Sequence, residues 1–255
     1  MKVQLLFETK IGRVYAASKA LLTAASLLVL IGGCSQTVSQ APEIQQQVQS
    51  GADPAITSFM GNTASLLTPG TENEAAMRYF DLKVNWSQYD KVLLEPVEFW
   101  DSENSTVSQS DQQTLTSYAF NKLKTAIQNA GFTVVDQPGP GVLRMRAALL
   151  NASAATPGLR SVSLVVPQAR LLTAAASLAT DSYAFAGSAE GAMIATDSVT
   201  GQVLAAAVDK RAGGMAISAA AQWNWGDAEN AIDKWAQMTA TRLARLRGST
   251  TGSMS

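Results

Sequence analysis

Histidine is absent from the 255-residue chain, and cysteine occurs only once. Without histidine the chain has no Ser-His-Asp or Cys-His nucleophile, no imidazole metal ligand and no imidazole acid or base. One cysteine can form neither an intramolecular disulfide nor a multi-cysteine zinc or iron–sulfur site. These absences remove most familiar catalytic centres. We therefore expect no cofactor, and the simplest interpretation is a protein that is not an enzyme.

Charge of either sign is also scarce. The chain has 19 Lys and Arg residues and 20 Asp and Glu residues. It therefore has no surplus of cations that could release counterions from a phosphate backbone. A nucleic-acid partner is therefore not expected. Hydrophobic residues make up 47% of the chain, which excludes disorder throughout and is enough for one α/β-sized domain.

The first 33 residues are typical of a secretory signal peptide. Basic residues near the start precede an apolar run over residues 20–33, which is shorter than the roughly 20 residues that a membrane-spanning helix needs. Cys34 follows Leu30-Ile31-Gly32-Gly33, a pattern that resembles a bacterial lipobox. We expect cleavage after residue 33 and acyl chains such as palmitate on Cys34 that anchor the protein in a membrane. The alternative is an ordinary signal peptide followed by a buried free thiol.

The residue after the cysteine bears on the choice of membrane. Ser35 stands where an Asp would retain an enterobacterial lipoprotein in the inner membrane, so the sequence favours the outer membrane. We expect a periplasm-facing protein, with the inner membrane and the cell surface as alternatives. Acids outnumber bases once the signal peptide is removed, so the lipid must provide the anchoring.

Composition divides the rest of the chain into three parts. Residues 34–57 comprise the lipidated cysteine and a Gln-, Ser- and Ala-rich stretch, predicted to be a flexible tether with a reach on the order of 75 Å. Residues 58–247 form the predicted domain, and residues 248–255 a disordered tail.

A strand, a helix and a second strand are predicted in succession. Residues 91–97 form an apolar run that ends near Pro96, and apolar residues recur at helical spacing over residues 110–130. Residues 132–136 are apolar again. This order is typical of a βαβ unit with two parallel strands.

The second half of the chain predicts further strands and two helices. Residues 142–154 alternate between apolar and polar, and two strands flank a turn at residues 197–201. Small apolar residues favour a helix over residues 167–180, and the last helix begins at Asp227. The pattern predicts one α/β domain, with α+β as an alternative, in which helices cover a mixed sheet of about five strands.

Several segments together resemble a family of bacterial lipoproteins known as domain of unknown function 3313. The resemblance depends on residues 59–70, residues 89–97, residues 197–209 with Arg211-Ala212-Gly213, and Trp225-Gly226-Asp227 with Trp235-Ala236. It extends over about residues 58–247. The family implies secretion and lipidation, and it brings no activity with it.

The predicted hairpin places Glu190 opposite the stretch that contains Asp209 and Arg211. Asp209 and Arg211 share a face because they are two residues apart in a strand. A slip of one residue would make Lys210 the neighbour of Glu190 instead. The group is interpreted as a salt bridge that closes one end of the sheet, and the alternative is a pair of carboxylates for acid–base or metal chemistry.

Two tryptophans precede the last helix. Trp223 and Trp225 could form an aromatic anchor for a protein, peptide or glycan, although Trp225 could equally be buried under Trp235. Asp227 is predicted to cap the helix.

The sequence thus favours a non-catalytic accessory or binding protein that is anchored in the outer membrane and binds another envelope component. One alternative is a hydrolase that uses Glu190, Asp209 and Arg211, and another is a carrier with an apolar pocket under residues 167–180. An open cleft with converging carboxylates would favour the hydrolase, and a large apolar cavity the carrier.

Overall fold

The computed structural model describes residues 37–71, 73–100, 107–154, 187–213 and 225–248. In these ranges, nine strands form one mixed sheet that helices cover. The predicted α/β class and the mixed sheet are confirmed. No helix in the described ranges has the length and apolar character needed to cross a bilayer.

The elements follow one another along the chain without repeats. The strands are β1 (Thr37–Ser39), β2 (Thr68–Pro69), β3 (Met77–Phe80), β4 (Lys91–Leu94), β5 (Glu98–Phe99), β6 (Thr133–Val134), β7 (Val142–Ser153), β8 (Ser188–Asp197) and β9 (Val203–Gly213). The α-helices are α1 (Ala41–Ser50), α2 (Pro54–Met60), α3 (Gln109–Asn129) and α4 (Gly226–Gly248). Two 3-10 helices lie at Gly61–Leu66 and Trp86–Gln88.

The sheet is larger than the predicted five strands. Its order is β2-β3-β9-β8-β7-β4-β6, with β1 paired to β9 and β5 paired to β7. The strands that were not predicted are β1, β2, β3 and β5, which have two to four residues each. Strands of two to four residues contain at most two periods of alternation, so the pattern is a weak signal for them.

The βαβ unit has the predicted form. β4 pairs in parallel with β6, and α3 connects them. Ser108 caps α3 by accepting the Asp111 N–H, and Gly131 follows the helix with a φ of 87°. The predicted apolar face of α3 is buried through Leu115, Ala119, Leu123 and Ile127.

Helices cover both faces of the sheet. The face toward α3 and α4 holds one core, which includes Leu143 and Met145 of β7. The face toward α1 and α2 holds another, which includes Leu150 of β7 and Val208 of β9. Because successive strand residues point to opposite faces, neighbouring positions of β8 and β9 contribute to different layers.

The predicted flexible tether over residues 34–57 is wrong for its described part. Strand β1 pairs with the end of β9, and Ile44 of α1 is fully buried. Asp53 caps α2 by accepting the N–H groups of Ala55 and Ile56. A few apolar side chains and one cap are therefore enough to fold this Gln-rich stretch onto the domain.

Some predictions concern residues outside the described ranges. These are the signal peptide over residues 1–33, the lipidation of Cys34, the helix over residues 167–180, the side chain of Trp223 and the tail after residue 248.

Candidate functional site

The predicted group of Glu190, Asp209 and Arg211 does not form as one cluster. In the β8–β9 register, Glu190 lies opposite Lys210, while Gly191 lies opposite Asp209. Asp209 and Arg211 therefore point toward α4, and Glu190 points to the other face with Lys210. The three-residue site is corrected to two separate sites on opposite sides of the sheet.

Asp209 forms the centre of a closed network on the α4 side. Its Oδ2 accepts hydrogen bonds from Nε of Arg211 at 2.8 Å and from the indole Nε1 of Trp235 at 2.9 Å. Its Oδ1 accepts the backbone N–H of Ala76 at 3.0 Å. The side chains of Arg211 and Asp209 are only 5% and 4% exposed. Burial raises the pKa of Asp209, against the opposing effects of Arg211, Trp235 and the Ala76 N–H.

Close packing over a glycine positions the Trp235 indole in this network. A Cβ at Gly191 would lie 2.9 Å from a ring carbon of Trp235, so a larger residue would displace the ring. Glycine in the middle of strand β8 therefore allows the indole to reach Asp209.

Glu190 has quite different surroundings on the other face. The residue is 2% exposed, and its Oε1 has no hydrogen-bond partner in the described part of the chain. Burial raises the pKa of Glu190 to about 7, with Asp53 and Glu43 adding to the rise and Lys210 opposing it. Lys210 donates to Glu43 on α1 rather than to Glu190.

Asp227 lies in the first turn of α4 and not at its cap. The Trp225 carbonyl accepts the first helical bond, from the Glu229 N–H at 2.9 Å, so residue 225 holds the cap position. The carboxylate of Asp227 accepts the Gly187 N–H at 2.8 Å and lies directly against Gly213. The predicted cap is thus corrected to a contact that joins α4 to the ends of β8 and β9.

Trp225 is not an exposed anchor. It is 6% exposed and packs in the core with Leu115, Ala228 and Ile232, and Trp235 lies against the same core. The alternative of a buried Trp225 is therefore the one that the structure supports.

A cavity of about 600 Å³ is bounded by α4 on one side and by the sheet on the other. Small side chains form much of its floor, including Ala205 and Ala207 of β9, with Gly191 of β8. Trp235 and Leu246 contribute to the α4 side. A volume of this size and a largely apolar lining are typical of small-molecule sites.

Charged side chains gather at one part of the cavity wall. Glu74 accepts a hydrogen bond from Nε of Arg78 at 2.7 Å and a second one from Nη2 of Arg242. The Arg242 guanidinium also lies 4.1 Å from the centroid of the Phe80 ring. Burial alone would raise the pKa of Glu74, but hydrogen bonds from Arg78 and Thr71 outweigh it and hold the pKa below its usual value.

The sequence did not reveal this charged group. Arg242 lies near the end of the last helix, where any cation complements the helix dipole, so its position alone does not indicate a site. Glu74 and Arg242 are 168 residues apart in the chain and meet only because α4 packs beside β3. Glu74 and Arg78 have the spacing of a helical pair, but Glu74 lies in the turn before β3 and Arg78 in β3 itself, so no local pattern indicates their contact.

The described carboxylates provide no metal centre. No three Asp or Glu side chains converge in the described ranges in a way that could hold a metal ion.

Comparison with known proteins shows the family. The model of the protein family described as "Protein of unknown function (DUF3313)" matches residues 57–239, and the chain belongs to that family. No curated protein is significantly similar to the chain.

Two solved structures have a related outline. One is a PelC dodecamer from Paraburkholderia phytofirmans in space group P6, with 10% identity and a TM-score of 0.37, over 63% of this chain and 93% of that chain. The other is a dodecamer of a PelC variant with one leucine replaced by methionine, from the same organism in space group C2, with 13% identity and a TM-score of 0.35, over 68% of this chain and 92% of that chain. Likenesses at this level carry no inference about function.

Proposed function

We propose that this protein is a non-catalytic, lipid-anchored binding protein of the bacterial envelope that holds an amphiphilic ligand between α4 and the sheet. The observation that carries the proposal is the cavity of about 600 Å³, which is largely apolar inside and charged at one part of its wall. Binding sites for small molecules share this design, in which apolar walls supply affinity and a few polar groups orient the ligand. The proposal shares the carrier function of one alternative from the sequence but places the site under α4, while the predicted pocket under residues 167–180 lies outside the described ranges.

The distribution of carboxylates supports binding over hydrolysis. A hydrolase of the predicted kind needs two carboxylates beside one substrate. Asp209 and Glu74 both line the cavity, but Asp209 accepts three hydrogen bonds from the protein itself, and the two oxygens of Glu74 accept bonds from Arg78 and Arg242. Glu190 points to the opposite face of the sheet, where it cannot act on the same substrate.

The proposed location depends on the N-terminal sequence. The signal-like residues 1–33, Cys34 and Ser35 support export, acylation and the periplasmic side of the outer membrane. A partner in the envelope would then receive or deliver the ligand. Substitution Cys34→Ala, followed by fractionation of cells, tests the anchor. We expect the variant to lose its acyl mass and to leave the membrane fraction, and an unchanged fractionation would overturn the anchor.

Filling the cavity tests the binding function. Ala207→Leu adds three carbons to the cavity floor, and Ala244→Leu adds the same atoms to an exposed position of α4 outside the lining. Native mass spectrometry of the purified lipidated protein should reveal a bound small amphiphile in the wild type and in Ala244→Leu. The Ala207→Leu protein should lose it while keeping its melting temperature. Equal ligand occupancy in both variants, or none in any of the three proteins, would contradict the proposal.

A further inference from the structure

The charges on the cavity wall are mostly positive. Four basic side chains line it: Arg78 near its edge, and Lys234, Arg242 and Arg245 on α4. Its acidic lining residues in the described ranges are Glu74 and Asp209. Both acids already accept hydrogen bonds from arginines, so the excess charge is cationic.

Glu74 holds two arginines in one place. It bonds to Nε of Arg78 through one oxygen and to Nη2 of Arg242 through the other. A guanidinium has five N–H donors in a fixed plane, so each arginine retains donors for a further acceptor. The trio carries one net positive charge and has ordered side chains, which reduces the entropy cost of binding an anion.

The surroundings of Arg242 favour an additional anion. Its guanidinium is packed over Phe80 and is partly buried. Burial lowers the pKa of Arg242, Arg78 and Arg245 lower it further, and Glu74 opposes them. A second negative group at this place would relieve the repulsion among the three guanidiniums.

The apolar floor begins on the strands beside these arginines. Phe80 and Arg78 are both in β3, which pairs with β9 so that Phe80 lies opposite Ala205. Ala205 and Ala207 then continue the floor without bulky side chains. A ligand with its head at the arginines would therefore have its apolar part over the alanines.

Building on the proposed binding function, we propose that Arg78 and Arg242, positioned by Glu74, form a head-group subsite for an anionic amphiphile with a carboxylate or phosphate on a single apolar chain. Arginine pairs suit both heads because each can accept two parallel N–H bonds. The subsite would select such ligands against neutral molecules of the same length.

Three probes that share one apolar tail separate the contribution of the head group to affinity from that of the tail. Hexadecanoate, hexadecyl phosphate and hexadecanol can each be titrated into the mature lipidated protein in detergent and followed by native mass spectrometry. We expect both anions to bind at least tenfold more tightly than the alcohol. The anion that binds more tightly then indicates whether a fatty acid or a phosphate lipid is the source of the ligand.

Variants then assign the preference to the arginines. Arg78→Gln and Arg242→Gln should each bring both anions to the affinity of the alcohol. Arg144→Gln is the matched control because Arg144 pairs with Glu95 and does not line the cavity. Arg242→Lys should recover only part of the preference, since lysine lacks the planar donor pair. Melting temperatures identify any variant that has lost its fold, and Arg78→Gln provides the test if Arg242→Gln unfolds.

The possible failures are distinguishable. If all three probes bind the wild type equally and the glutamine variants change nothing, the cavity binds tails and the head-group subsite is overturned. If no probe binds the wild type or Ala244→Leu, the proposed function fails together with the subsite.

Discussion

Asp209 and Glu190 are two buried carboxylates on adjacent strands, and their surroundings differ completely. Asp209 receives an arginine, an indole and a backbone N–H within 3.0 Å. Glu190 faces Lys210, Glu43 and Asp53, and its Oε1 has no hydrogen-bond partner in the described ranges. The same sheet thus contains one carboxylate with a full set of donors and one with almost none.

The comparison shows how hydrogen-bond donors offset the cost of burying a charge. Three donors oppose the rise in the pKa of Asp209 that burial causes, whereas only Lys210 opposes the rise at Glu190. A carboxylate with several donors keeps its charge in the interior, whereas one without them gains stability by taking up a proton. The two sites therefore predict different responses to mutation and to pH.

The largest effect is expected from Asp209→Ala. The change removes the acceptor of the buried Arg211 and of Trp235, and leaves a guanidinium without its counter-charge. We expect a loss of about 3–5 kcal/mol in the free energy of unfolding, measured with urea. Asp136→Ala is the control, because Asp136 is exposed. Equal stability of the two variants would show that the network contributes nothing to the fold.

Glu190→Gln should raise the free energy of unfolding above neutral pH, whereas Asp209→Ala lowers it. The pKa of Glu190 in the folded protein is about 7, above its usual 4.5, so its contribution to stability is complete below pH 4.5 and is lost as the pH rises through 7. The full shift corresponds to roughly 3 kcal/mol as an upper bound. Glu190→Gln should therefore be more stable than the wild type at pH 8.5 and about equal to it at pH 5.

Urea unfolding at several pH values checks this expectation. The wild type should lose stability between pH 5 and pH 8.5, and the glutamine variant should lose less. A wild-type curve that rises with pH over this range, with the same slope in the variant, would show that Glu190 is charged at low cost.

Gly191→Ala perturbs the hydrogen-bond network of Asp209 indirectly, through Trp235. The new Cβ would lie 2.9 Å from Trp235, so the indole must move away from Asp209. We expect a loss of about 1–3 kcal/mol together with a change in tryptophan fluorescence. Gly226→Ala at the start of α4 is the matched control, since a Cβ there meets no atom within 4 Å. If both variants melt at the same temperature, Gly191 does not determine the position of the ring.

The smallest effect is expected from Glu43→Gln on the other face. The pair between Lys210 and Glu43 is partly exposed, so its loss should change stability by less than about 1 kcal/mol. The variant should also lower the pKa of Glu190, because Glu43 raises it and Lys210 opposes that rise. The pH at which stability falls should therefore move down, and an upward movement would contradict the assigned charges.

Strong local patterns made the central part of the fold predictable. The helical spacing over residues 110–130 and the strands beside it define the βαβ unit without any tertiary information. The turn at Asp197 and Gly201 is also encoded locally, since Asp197 accepts the Val199 and Thr200 N–H groups and Gly201 has a φ of 73°. The short edge strands depend on pairing partners far away in the chain, so no local pattern indicates them.

One β-bulge explains why the predicted carboxylate cluster divides. Close to the turn, Thr196 pairs with Val203, and continuing that register would place Glu190 opposite Asp209. The register then shifts by one residue between Ala195 and Thr196, which leaves Leu204 as the extra residue of β9. A bulge of this kind reverses the face of every later side chain. No residue type in this segment indicates the bulge. The sequence therefore could not show that Glu190 and Asp209 lie on opposite faces of the sheet.

The pairing of β1 with the end of β9 limits how far an anchored domain could travel. Thr37 is already hydrogen-bonded into the sheet, and it follows Cys34 by three residues. Three residues span at most about 10 Å, which is much less than the reach of the flexible tether that the composition predicts. If Cys34 is acylated, the end of the sheet that contains Thr37 and Gly213 would thus lie within about 10 Å of the anchored residue.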